Sequence, residues 1–177
     1  MAFRADTNKS EYNLFTAARS VCSADFDNDG DIDLVVGHSY DFQTEWGGLT
    51  FLNNHGSGNF EFSDTLFHLG GYTTMYCEYL TNNIYPDIVF LSSNGTDLFL
   101  TVLSKEKGNY HASYYQTGIG VNHFILNDIN GDQKLDAIFI STLDRYWGIL
   151  YNQGNGIFSE PECYDVEGYP PTDIACG

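Results

Sequence analysis

Asp25-Phe26-Asp27-Asn28-Asp29-Gly30-Asp31-Ile32-Asp33 sets five carboxylates at alternate positions over nine residues, around one glycine. Like charges this close repel strongly unless a cation sits among them. Hard oxygen ligands in this number suit Ca²⁺, which takes six to eight oxygens at about 2.3–2.6 Å. The stretch then turns aliphatic, into Leu34-Val35-Val36, the start of a strand.

The same frame returns twice. One copy runs from Cys77 through Tyr79, Thr81, Asn83 and Asp87 to Ile88-Val89-Phe90, the other from Leu126 through Asp128, Asn130, Asp132, Lys134 and Asp136 to Ala137-Ile138-Phe139. The closing aspartates, Asp33, Asp87 and Asp136, stand roughly fifty residues apart. A second marker follows each copy. Leu52-Asn53-Asn54-His55-Gly56-Ser57-Gly58-Asn59-Phe60 matches Tyr151-Asn152-Gln153-Gly154-Asn155-Gly156-Ile157-Phe158, and Leu103 to Tyr110 is a weaker form. Each reads as a strand end, a Gly/Asn turn and an aromatic that restarts a strand, which is a hairpin signature.

Each unit therefore holds about four strands in about fifty residues, the size of one β-propeller blade. The fold class is all-β: a propeller segment of about three four-stranded blades, with units at 19–66, 73–115 and 121–162. Spacing from Phe3 makes 1–18 the outer strand of a preceding blade. Thr172-Asp173-Ile174-Ala175-Cys176-Gly177 resembles Arg19 to Ala24, so 170–177 is expected to be the first strand of a following one. Three blades fall below the usual four to eight, which points to a piece of a longer propeller or to a chain that closes by oligomerising.

Metal geometry explains the spacing within the loops. In a tight loop, positions 1, 3, 5 and 9 converge their oxygens, position 7 lends its carbonyl, and glycine at 6 allows the turn. The first loop supplies Asp25, Asp27, Asp29, Asp31 and Asp33, with Gly30 at position 6. The third supplies Asp128, Asn130, Asp132, the carbonyl of Lys134, and Asp136, with Gln133 at position 6. The middle loop has one carboxylate, Asp87, and no calcium is expected there. An EF-hand needs Glu at position 12 and flanking helices; Val36 and Phe139 stand there, between strands.

These features resemble the FG-GAP/VCBS repeat family, the blades of integrin-α-like propellers, over essentially the whole chain. The resemblance implies structural calcium pinning adjacent strands, and an extracellular or cell-surface protein. It also implies a non-enzymatic role in adhesion or in recognition of a glycan or protein ligand. Two other roles fit the repeat: assembly into a multi-chain propeller or filament, and an accessory domain of a larger enzyme.

Composition agrees with a folded acidic protein. The 177 residues carry a net charge of −17 with 7 Lys+Arg, which speaks against nucleic acid and anionic membrane as partners, while 42% hydrophobic residues provide a core. No apolar run is long enough for membrane insertion, and the start lacks a signal-peptide core. Cys22, Cys77, Cys163 and Cys176 form no CxxC pair, and free thiols and a disulfide stay open alternatives. His38, His55, His68, His111 and His123 are scattered, without a zinc or catalytic spacing. Trp46, Trp147, Tyr40, Tyr114, Tyr115 and Tyr146 are candidates for inter-blade core or for stacking on sugar rings. Asn8-Lys9-Ser10 and Asn94-Gly95-Thr96 are glycosylation sequons.

Overall fold

The computed structural model describes residues 17–39, 47–67 and 74–175. These are all-β, with no helix among the described residues, and every strand pairing is antiparallel. The first sheet is β1 (Ala18–Ala24), β2 (Asp33–His38), β3 (Gly48–Asn54) and β4 (Phe60–Phe67), in that order. The second is β5 (Met75–Glu78), β6 (Asp87–Ser93), β7 (Leu98–Glu106) and β8 (Asn109–Gly118). The third joins β9 (Val121–Asn127), β10 (Asp136–Ser141), β11 (Tyr146–Leu150) and β14 (Glu162–Asp165). Between β11 and β14 a separate small hairpin pairs β12 (Asn152–Gly154) with β13 (Ile157–Phe158). Phe158 therefore does not open the outer strand of its sheet; that strand starts beyond Pro161.

The register repeats. Asp33 faces Ala24, Asp87 faces Glu78 and Asp136 faces Asn127, so each frame loop joins the first strand of a sheet to its second. The second strand is aliphatic on both faces because both faces are covered. On β6, Ile88 and Phe90 enter a core shared with the first sheet, among Val35, Leu49, Phe51 and Leu103. Val89 and Leu91 enter the opposite core, with Leu100, Phe124, Phe139 and Leu150. The middle sheet is thus sandwiched between its neighbours. Each large side chain buried this way contributes about 1.5–3 kcal/mol. At Gly148 a Cβ would collide with the Phe139 ring, so the close approach there requires glycine. The described residues stack three sheets without closing a ring.

Cys22 on β1 and Cys77 on β5 form a disulfide, with Cα atoms 5.8 Å apart, that joins the first two sheets. Cys163 is an exposed free thiol, and Cys176 lies outside the described residues. The outer strand expected over 1–18 falls outside them too, except for its last two residues, where Ala18 already begins β1. The expected strand at 170–177 is not formed over 170–175, which has no strand pairing; residues 176 and 177 lie outside the described residues.

Candidate metal centre

The first loop wraps its own backbone around its carboxylates. Asp25 accepts hydrogen bonds from the amides of Asp29 (3.1 Å) and Gly30 (3.0 Å). Asp27 accepts from the Asp29 amide at 3.2 Å, and Asp29 from the Asp31 amide at 2.8 Å. Two left-handed residues, Asn28 (φ 63°) and Gly30 (φ 97°), make this possible by bending the chain twice. Carboxylate oxygens of Asp25, Asp27 and Asp29 all come within 4.8 Å of one another. Oxygens on opposite sides of a calcium ion are about 4.6–5.2 Å apart, twice the calcium–oxygen distance. The three therefore fit that ion. Asn53 donates to the other oxygen of Asp27 at 2.7 Å, fixing it from β3. Asp27 has its carboxyl pushed above the usual range, first by desolvation and then by the charges of Asp33 and Asp29, a repulsion that a bound cation would reverse.

Asp31 and Asp33 are not in this mutually close set, although the Asp33 charge acts on Asp27. The Asp31 carboxylate lies beside the hairpin turn, with Oδ2 3.5 Å from where a Cβ on Gly56 would be. Asp33 is 1% exposed, and its two oxygens accept the Phe26 and Asn54 amides, each at 2.8 Å. Asp136 repeats this at 0% exposure, taking the amides of Ile129 (3.2 Å) and Asn152 (2.8 Å). Asp87 does the same work in the loop that lacks the other carboxylates. It accepts the amides of Leu80 (2.9 Å) and Thr81 (2.7 Å) and the Thr81 hydroxyl. The closing aspartate is thus a staple between loop and sheet, present whether or not the loop is rich in carboxylates. Burial raises the Asp87 carboxyl, and the bonds from Thr81 and Leu80 offset this only in part.

The third loop keeps the backbone path of the first, with Gly131 (φ 80°) and Gln133 (φ 67°) at the two left-handed positions. Asp128 takes the amides of Gly131, Asp132 and Gln133, and Asn130 that of Asp132. Its difference is electrostatic. Lys134 occupies the position of Asp31, and its ammonium donates to Asp132 Oδ2 at 2.7 Å. That bond holds the Asp132 carboxyl below its usual range. A cation already sits where the first loop has an anion. No residue of 79–87 has positive φ, so the middle loop follows another path.

Two further side chains clamp these loops. Asn54 donates to the Ile32 carbonyl at 3.1 Å, and Asn152 to the Leu135 carbonyl at 3.2 Å. The registers that pair Leu34 with Leu52 and Ala137 with Leu150 make Asn54, not Asn53, the counterpart of Asn152. In the middle unit Lys105 stands at that place. Its ammonium reaches back to the Phe26 carbonyl of the first loop at 2.9 Å, over the rings of Tyr85 and Tyr110.

The remaining candidates are placed as follows. Trp147 stacks on Tyr164 with centroids 4.4 Å apart, Tyr115 packs on Phe158, and Tyr146 packs on Phe139. Tyr114 is exposed and meets Phe99 edge-on. His38 is buried on Thr50, His55 pairs with Glu61, and His123 lies 4.0 Å from Asp173. Trp46, Tyr40, His68 and the first sequon lie outside the described residues. Among the described residues, Asp25, Asp27 and Asp29 are the one group of three or more His, Cys, Asp or Glu side chains so convergent.

No family model, curated protein or solved structure matches this chain.

Proposed function

We propose that this chain is a calcium-stabilised segment of a β-propeller of the FG-GAP/VCBS kind, serving as a non-enzymatic binding or adhesion module outside the cell. The observation that carries the reading is the convergence of Asp25, Asp27 and Asp29 on a loop whose own amides hold their oxygens in place. Calcium there neutralises three carboxylates and fixes the turn between β1 and β2. It does no chemistry on a substrate. The face-to-face stacking of three four-stranded sheets is what blades do in a propeller. The ring would be completed by further blades, from a longer chain or from other copies. The Cys22–Cys77 disulfide supports an oxidising, extracellular setting.

The test is calcium titration by calorimetry, paired with thermal melting in calcium and in EDTA. Binding that is lost in Asp27→Asn, with a melting temperature that falls in EDTA, is the expected result. A melting temperature indifferent to EDTA would sink the structural role of calcium.

A further inference from the structure

A cleft of about 480 Å³ opens between the loops of the second and third sheets and the β12–β13 hairpin, within the usual size of small-ligand sites. Leu80 and Leu135 supply its apolar lining. Around them stand the carboxamides of Asn82, Gln133 and Asn155 and the ring of Tyr79. The chain carries a net charge of −17, yet no carboxylate is among the lining residues. Their one cation, Lys134, is already bound to Asp132. The cleft therefore favours neither an anion nor a cation.

Carboxamides offer donors and acceptors together, which suits hydroxyl groups that also give and accept. The side-chain amides of Asn82 and Gln133 make no hydrogen bond among the described residues, so both are open to a ligand. Tyr79 is 60% exposed, with neither a hydrogen bond nor a ring contact among the described residues. Such a ring offers an apolar face to C–H groups. Gln133 holds φ at 67° where the first loop has Gly30. A side chain kept at a conformational cost beside a cleft points to use of that side chain.

We propose that this cleft binds a neutral saccharide, with Tyr79 beneath the sugar ring and Gln133, Asn82 and Asn155 on its hydroxyls. The proposal rests on the binding-module reading above, but not on its calcium, since the cluster at Asp25, Asp27 and Asp29 lies outside the cleft.

Saturation-transfer NMR with the methyl glycosides of glucose, galactose, mannose, fucose and N-acetylglucosamine tests it, with N-acetylneuraminic acid as the charged control. At least one neutral glycoside is expected to bind. Tyr79→Ala and Gln133→Gly should each weaken it about tenfold, a loss of about 1.4 kcal/mol. Gln133→Gly relieves backbone strain, so it should melt no lower than the parent protein while binding worse, which a merely structural role would not produce. Asp27→Asn should keep saccharide binding even where it loses calcium, so the two readings fail separately. Binding of N-acetylneuraminic acid alone, binding of no neutral glycoside, or binding that survives both substitutions would overturn the proposal.

Discussion

Replacing Asp33 with Asn separates staple from metal ligand. The Asp33 carboxylate is buried and accepts two backbone amides, from Phe26 and Asn54, each at 2.8 Å. Asparagine keeps one acceptor and turns an NH₂ group toward the other amide. One charge-assisted hydrogen bond is lost, at about 1.5–3 kcal/mol, and a buried donor is left facing a donor, at about 1–3 kcal/mol more. Local relaxation recovers part of this, so we expect a loss of about 3 kcal/mol. At roughly 2–4 °C per kcal/mol for a chain of this size, the melting temperature should fall by about 10 °C. Because the staple is also present in the middle loop, the loss should be nearly equal in calcium and in EDTA. Asp25→Asn, by contrast, should cost stability mainly in calcium. Differential scanning calorimetry of the two variants, with and without chelator, makes the comparison. An Asp33→Asn protein destabilised only in calcium would refute the staple and return Asp33 to the ligand set.

Burial raises the Asp87 carboxyl, so its contribution to folding is greatest when protonated and is lost as pH rises from its ordinary value near 3.8 through the raised one; the melting-temperature gap between the parent protein and Asp87→Ala should widen as pH falls from 7 toward that window, and a narrowing gap would contradict this. Lys134→Asp restores the charge pattern of the first loop and should raise calcium affinity at the third by about tenfold or more, read as an added or tighter phase in calorimetric titration. Opening the Cys22–Cys77 bridge, which spans a sequence separation of 55, by Cys22→Ser with Cys77→Ser should cost about 4 kcal/mol on the loop-closure estimate, measured by urea unfolding.

The succession of three four-stranded sheets was legible in the sequence because its markers are local: a frame closed by Asp33, Asp87 or Asp136, then a Gly/Asn hairpin. Burial of β10 on both faces could likewise be read from its unbroken Ala137-Ile138-Phe139-Ile140 run. The role of the closing aspartate could not. Alternate spacing marks Asp33 as a ligand candidate but says nothing of a staple, because its partner amide on Asn54 is 21 residues away, across a strand pairing that spacing does not reveal. The equivalence of Asn54 and Asn152 was hidden for the same reason, because it rests on the pairing of Leu34 with Leu52 and of Ala137 with Leu150. Gln133 was visible as a departure from glycine, but the ammonium of Lys134 on Asp132 depends on a side-chain direction, which a backbone-carbonyl role for Lys134 does not anticipate. The cysteine pairing required β1 and β5 to be neighbours in space. Adjacent units make that natural, but four cysteines do not specify it.

The Cys22–Cys77 bridge has a mechanical consequence. When the molecule is pulled by its two ends, force bypasses the 55-residue span between these cysteines. Roughly 190 Å of contour, at about 3.4 Å per residue, is withheld from extension. The acidic loop and β2 to β4 lie inside that span and carry no direct tension, while the load passes to the second and third sheets beyond Cys77. A protein built this way would lengthen under load beyond Cys77 while keeping its acidic loop folded.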